Sequence, residues 1–311
     1  MAVSDGEANP FIGCSRLKEI KKKTHRTSNR GDDTWDGVHN GKNRKTKENQ
    51  AQRIMAFWKE NEMARIQFMN TQIDNLTMSE TLQEIDALIQ KKQPAYIVTP
   101  NVDHIVQLEK DKELCEVYQK ADLILTDGKP LLWIAKWYGT PIKEKISGSD
   151  LFPLLCKMAA EKHYTMFLLG AAQGVAQKAA DNLMKKYQGL KVVGTYSPPF
   201  GFEKNQLEMK KIRDMIHEAK PDILIVGLGC PKQEKFILHN YKILNVPISL
   251  GLGASIDFEA GNIKRAPKWM SNCGLEWFFR ITQDPKRMAK RYLIDDLSII
   301  KIALKYRRVH K

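Results

Sequence analysis

A carboxylate fixed just behind a short apolar run sits rigidly at the mouth of a sheet, where proton transfer is most useful. Asp127 stands so, in Thr126-Asp127-Gly128-Lys129-Pro130 after Leu123-Ile-Leu125. Two roles are open to it: general base, or N-cap of a helix that starts at Pro130. Thr99 and Asn101 flank Pro100 after Tyr96-Ile-Val98. Their neutral hydrogen-bonding groups suit a sugar or a base, and equally suit a turn. Glycine-bearing turns follow other apolar runs: Gly170-Ala-Ala-Gln173-Gly174, Gly227-Leu-Gly229-Cys-Pro231-Lys232-Gln233-Glu234 and Gly251-Leu-Gly253-Ala-Ser255. At Gly170, Gly227, Gly229 and Gly253 the backbone is free to come close to a ligand. The turn at Gly227 is the most suggestive. Pro231 suits a first helical position, a helix start offers N–H donors to a phosphate, and Lys232 and Gln233 add a charge and an amide. A bare βα turn is the plain alternative; the extra donors favour a diphosphate or nucleotide.

Other chemistries are excluded or set aside. The dinucleotide fingerprint G-x-G-x-x-G is incomplete, because Lys232 stands where its third glycine belongs. Asp103 and His104 are adjacent, so on a helix they do not face each other, and His104 reads as structural. The remaining histidines lack ligand spacing, no D-x-D pair is present, and the scattered cysteines (Cys14, Cys115, Cys156, Cys230, Cys273) form no C-x-x-C. Neither a metal site nor a cofactor is expected, and a reducing compartment fits the cysteines.

The elements that would hold these residues follow a βα rhythm from about residue 66. Short β-branched or leucine-rich runs near 96–98, 123–125, 166–169, 192–196, 223–226 and 248–250 read as buried strands. Helical stretches at 78–90, 130–138, 151–162, 174–187, 206–219 and 232–240 separate them. That pattern predicts an α/β fold: a Rossmann-like parallel sheet with helices on both faces, whose ligands bind at the carboxyl ends of the strands. Asn75 or Thr77 is the expected cap of the first helix.

The chain has 311 residues and a formal charge of +14, distributed unevenly. Residues 1–65 carry 14 basic and 9 acidic side chains, 66–261 carry 23 of each, and 262–311 carry 13 and 4. The expected organisation is a basic, disordered extension over 1–62, an α/β core over 63–261 and a basic helical C-terminal appendage over 262–311. No apolar run approaches the roughly 18–20 residues of a spanning helix. In the appendage Leu293, Leu297, Ile300 and Leu304 recur at helical spacing beside Lys301, Lys305, Arg307 and Arg308. Two readings fit: an interfacial helix on an anionic membrane surface, or an ordinary helix packed on the core or in a homo-oligomer. Nucleic acid is disfavoured, since the basic ends lack interleaved aromatics.

The succession TPNVDH, LTDGKPLLW, ISGSDLF, FLLGAAQGVAQKAA, VVGTYSPPFG, PDILIVGLGCPKQE, GLGASIDFEAGNIKRAPKWM and GLEWFFRITQDPKRMAKRYL resembles the WecG/TagA/CpsF glycosyltransferase family from about Arg65 to Tyr292. The resemblance implies an inverting, metal-independent enzyme that moves N-acetylmannosamine or a related sugar from a UDP-sugar donor to a polyprenyl-diphosphate-linked acceptor. It implies work at the cytoplasmic membrane face, in cell-surface polysaccharide or teichoic acid synthesis. By the same resemblance Asp127 is the base, Thr99 and Asn101 line the active site, and Gln233 belongs to the nucleotide-sugar pocket. The appendage would bring Arg280, Arg287 and either Lys290 or Arg291 to the substrate. Where the family often has an arginine before Gly-Ser-Asp, this chain has Lys145, which keeps the charge but lacks the bidentate fork. A nicotinamide-dependent oxidoreductase and a nucleic-acid-binding protein are the alternatives.

Overall fold

A computed structural model describes residues 65–307, except the side chains of Lys268, Asn272 and Arg287. The expected extension over 1–62 lies outside them. The described residues fall within one compact unit, Lys59–Lys311.

A hairpin opens the chain: β1 (Arg65–Phe68) pairs antiparallel with β2 (Thr71–Asp74), register Ile66 opposite Ile73. Helix α1 (Met78–Gln90) starts at Thr77, whose hydroxyl accepts from the Glu80 amide while the Glu80 carboxylate accepts from the Thr77 amide. This reciprocal capping settles the choice between Asn75 and Thr77. Then come β3 (Ala95–Val98), α2 (Val102–Leu108), α3 (Lys112–Lys120), β4 (Leu123–Ile124), α4 (Lys129–Tyr138), α5 (Gly148–Lys162), β5 (Thr165–Gly170), α6 (Val175–Lys186) and β6 (Lys191–Tyr196). Next follow α7 (Gln206–Ala219), β7 (Ile223–Gly227), α8 (Lys232–Leu244), β8 (Ile248–Gly251) and α9 (Ser255–Glu259). The appendage holds α10 (Lys268–Asn272), α11 (Glu276–Gln283), α12 (Pro285–Lys290), a π-helical turn (Arg291–Asp295) and α13 (Ser298–Arg307).

Strands β3 to β8 form one six-stranded sheet in the order β4-β3-β8-β7-β5-β6, every pairing parallel. Successive strand residues feed opposite cores. Ala95, Ile97, Met166, Leu168, Ile223 and Ile225 pack with Phe152, Leu155 and Leu183 on one face. Tyr96, Val98, Phe167, Leu169, Leu224 and Val226 pack with Ile105, Leu131 and Ile237 on the other. Both faces are covered, which is why the strands read as unbroken apolar runs.

The hairpin is tied to the sheet. Arg65 grips Asp74 through two bonds of 2.7 Å and donates to the Asp122 carbonyl at 2.8 Å, while Asp74 accepts from the Ile124 amide at 2.8 Å. The appendage is also anchored. On α13, Ile302 and Ala303 are buried in the second core, Ile299 and Tyr306 pack against it, and the Ala303 carbonyl accepts from the Tyr138 hydroxyl at 2.6 Å. Leu293 and Leu297, which precede α13, and Ile300 and Leu304 on it are each more than half exposed.

Candidate active site

The carboxyl ends of β3, β4, β7 and β8 converge on a cavity of about 500 Å³. It is the more polar of two adjoining cavities: Thr99, Asn101, Asp127, Gly229, Gln233 and Gly253 all reach it. A second cavity of about 360 Å³ adjoins it, bounded by Pro130 from the core and by Trp277, Tyr292, Leu293 and Leu297 from the appendage. Asn101, Asp127, Arg280 and Arg291 line both.

Asp127 sits where β4 runs out, its amide donating to the Pro100 carbonyl at 2.9 Å. The N-cap of α4 is Gly128, with no side-chain cap, so the carboxylate is not spent on capping. Burial drives its pKa up to about 6, and the nearby Glu276 carboxylate adds to the effect; Arg280, Lys145 and His104 pull the other way. A carboxyl poised near neutrality is suited to accept a proton.

Thr99 is buried, with its hydroxyl 3.5 Å from the Gly251 carbonyl. Asn101 caps α2 and also turns its Oδ1 toward Arg291, whose Nη2 donates at 3.3 Å. Of the two roles weighed for Asn101, the cap is the one seen, and the side chain also lines both cavities. Gln233 is buried and works as a clamp: its Oε1 accepts from the Gly253 amide at 3.1 Å and its Nε2 donates to Glu234 at 2.7 Å. It binds the β8 turn to the start of α8.

The glycines separate into two groups. Gly229 and Gly253 line the first cavity; Gly170 and Gly227 line neither of the two. A Cβ on Gly170 would lie 2.3 Å from the Gly227 carbonyl oxygen, and one on Gly227 would lie 2.9 Å from the Gly253 oxygen. These two residues let adjacent strand ends touch, rather than let a ligand in. The start of α8 also differs from the expectation drawn from its sequence. Pro231 is the N-cap, not the first helical residue. The Gln233 amide is taken by the Gly229 carbonyl at 3.0 Å, and Lys232 turns away to pair with Glu203 at 3.0 Å.

The positive charge comes from the appendage instead. Arg280 lies over the Phe258 ring and donates to Glu276 at 2.9 Å. Arg291 pairs with Asp103 at 3.2 Å and has Nε 4.0 Å from Asp296. The Asp296 amide donates to the Arg291 carbonyl across the π-helical turn at 2.8 Å, so one wide turn brings both side chains to the site. Lys290, chosen from sequence for this position, is exposed and lines neither cavity. The backbone of Arg287 belongs to α12; its side chain lies outside the described residues. Lys145 reaches the second cavity and pairs with Asp150 at 2.8 Å, which, with the Ser147 hydroxyl, outweighs burial and brings the Asp150 carboxyl down to about 2.

Spacing gave no sign of a ligand set, yet the fold gathers one: His104, Cys230 and Glu234 offer donor atoms within 4.8 Å of one another. Glu276, Asp296 and this cluster were all missed in the sequence, because the partners lie in distant segments.

The family model described as glycosyl transferase WecG/TagA/CpsF matches residues 66–311. An N-acetylglucosaminyldiphosphoundecaprenol N-acetyl-beta-D-mannosaminyltransferase of Bacillus subtilis (strain 168) is 35% identical over 217 residues, 70% of this chain and 80% of that protein. Proteins of the same name from Bacillus spizizenii, 33% identical over 64% of this chain and 75% of their own, and Staphylococcus aureus (strain MW2), 27% over 80% and 96%, are also similar. These comparisons lend no support to an oxidoreductase or a nucleic-acid-binding protein. With its parallel sheet and a family match over most of its length, the chain is a glycosyltransferase that belongs to the WecG/TagA/CpsF family.

Proposed function

We propose that this enzyme transfers N-acetylmannosamine, with inversion, from a UDP-sugar to N-acetylglucosamine carried on a polyprenyl diphosphate. The observation that carries the reading is the position of Asp127 on the boundary of two unlike cavities, together with Arg280 and Arg291. The polar cavity beneath the Gly229 and Gly253 turns suits the nucleotide-sugar. The cavity walled by Trp277, Tyr292, Leu293 and Leu297 suits the lipid-linked acceptor. The names of the relatives support both the sugar and the acceptor.

In the reaction, the Asp127 carboxylate takes the proton of the attacking acceptor hydroxyl. The freed oxygen forms a bond to the anomeric carbon as the bond to the UDP oxygen breaks on the opposite face, which inverts the centre. General-base assistance of this kind contributes about 10²–10⁴-fold. Charge collecting on the departing diphosphate meets the guanidinium groups of Arg280 and Arg291, already fixed by Glu276 and Asp103. Protein cations meet this charge without a metal in the transfer step.

Among the described residues no helix is long and apolar enough to cross a membrane. The exposed apolar face of the appendage, Leu293, Leu297, Ile300 and Leu304, with Lys301, Lys305 and Arg307 beside it, supports peripheral docking on the cytoplasmic face of an anionic bilayer. The test is transfer from a panel of UDP-sugars to a short-chain polyprenyl-diphosphate N-acetylglucosamine, with products identified by mass spectrometry. Product from UDP-N-acetylmannosamine alone, lost in Asp127→Asn, is the expected result; product from another donor only, or an active Asp127→Asn, overturns the proposal.

A further inference from the structure

We propose that His104, Cys230 and Glu234 form a binding site for one thiophilic divalent cation of the zinc class, at the wall of the polar cavity. Three kinds of observation carry this. The first is the donor set itself. Imidazole nitrogen, thiol sulfur and carboxylate oxygen lie within 4.8 Å of one another, and each of the three is a ligand type that zinc takes. His104 and Glu234 approach to 3.2 Å. A tetrahedral zinc with nitrogen and oxygen ligands at about 2.0–2.1 Å spaces neighbouring donors roughly 3.3 Å apart, so the pair needs almost no movement.

The second observation is the outer layer. His104 Nδ1 lies 2.8 Å from Asn101 Oδ1 and 3.3 Å from the Asn101 amide nitrogen, so Asn101 orients the ring through both groups. Nε2 faces the Glu234 carboxylate oxygen at 3.2 Å, a contact that a proton or a cation can bridge. Gln233 Nε2 donates to Glu234 Oε1 at 2.7 Å, and Gln107 Nε2 donates to Cys230 Sγ at 3.4 Å. Each ligand therefore has its own support, as ligands of bound metals do.

The third is an unmet need. Glu234 is 1% exposed, and its Oε2 has no hydrogen-bond partner among the described residues. Leaving a buried carboxylate oxygen unpaired is costly; a cation bound at the cluster would neutralise that charge. His104 and Cys230 line the polar cavity, so the fourth coordination position faces it. On binding, the thiol proton and the proton shared by His104 and Glu234 pass to buffer as the metal bonds form.

The experiment is titration of the full-length, chelator-treated and desalted protein with cobalt(II), followed by zinc(II). Expected are saturation at one equivalent, a thiolate-to-cobalt charge-transfer band, and its loss when one equivalent of zinc is added. Cys230→Ser, a mild change at a half-buried position, abolishes the band and weakens binding at least tenfold. Gln107→Ala, which removes the donor to Cys230 Sγ and also one to Asp103, weakens it roughly 10-fold or more. Cys273→Ser, at an exposed thiol, leaves band and stoichiometry unchanged. No band at one equivalent, or a band that survives Cys230→Ser and disappears in Cys273→Ser, overturns the proposal whether or not the enzyme transfers sugar.

Discussion

Replacing Asp127 with Asn separates what the carboxylate costs the fold from what it does for the reaction. Its pKa is about 6 against an ordinary 3.8, a difference of about 2 units at 1.36 kcal/mol each, or about 3 kcal/mol at most. The sign follows from proton binding. Between pH 3.8 and 6 the folded chain holds a proton that the unfolded chain has released, so wild-type stability falls as pH rises through this window and is level above it. At pH 8 the ionised carboxylate thus destabilises the fold, and a neutral amide of the same shape removes that cost. Solvent in the cavity reduces the gain to roughly 1–3 kcal/mol, which is several degrees of melting temperature at about 2–4 °C per kcal/mol. By pH 4.5 the gain shrinks to about a third, because the wild type is then protonated in the folded state. Transfer moves the other way. Asp127→Asn loses about 10²–10⁴-fold in kcat, and wild-type kcat/KM falls with unit slope below pH 6, to about a tenth at pH 5. Differential scanning fluorimetry across pH, paired with transfer rates, measures both sides. A variant no more stable than wild type at pH 8, a gap that does not change with pH, or activity within tenfold of wild type refutes the reasoning.

Other outcomes follow from the same geometry. Arg291→Ala lowers transfer by about 10²-fold, and Arg291→Lys recovers only part of it, because an ammonium lacks the planar fork that can hold a diphosphate while Nη2 stays on Asn101 and Asp103; donor-dependent rates decide this. Gly170→Ala forces a methyl to 2.3 Å from the Gly227 oxygen at a φ of +119°, and denaturant unfolding should show a loss of about 3–5 kcal/mol. Changing Leu293, Leu297, Ile300 and Leu304 together to Ser leaves the buried Ile302 and Ala303 in place, so the melting temperature holds while co-sedimentation with anionic vesicles drops at least tenfold. Retained sedimentation would remove the membrane role of that face.

Local punctuation made most of the sheet and helices legible. The 78–90 helix begins with a reciprocal cap three residues long, and the strands of 166–169 and 223–226 are apolar on both faces, so they differ by a residue or so from the observed β5 and β7. The β1–β2 hairpin escaped notice because each strand has four residues and Arg65 and Asp74 are polar positions within it. Residues identified at the strand ends proved harder to assign. Gly170 and Gly227 look like ligand-facing glycines in sequence, but only the adjacency of β5, β7 and the β8 turn shows that they serve contact between backbones. The choice between Lys290 and Arg291 depends on a π-helical turn, which shifts the facing residue by one and has no signature in a period of 3.6. Glu276 and Asp296 set charge at the site through space, and nothing in their own neighbourhoods announces it.

The grip of Arg65 on Asp74 reaches further than the hairpin. Asp74 accepts from the amide of Ile124, and three residues later the same backbone delivers Asp127. The start of the described chain and the Asp127 carboxylate are thus two ends of one short lever, with Asp74 as its fulcrum. Changes at Arg65, remote from either cavity wall, would therefore register as misaim of Asp127 before they register as loss of fold.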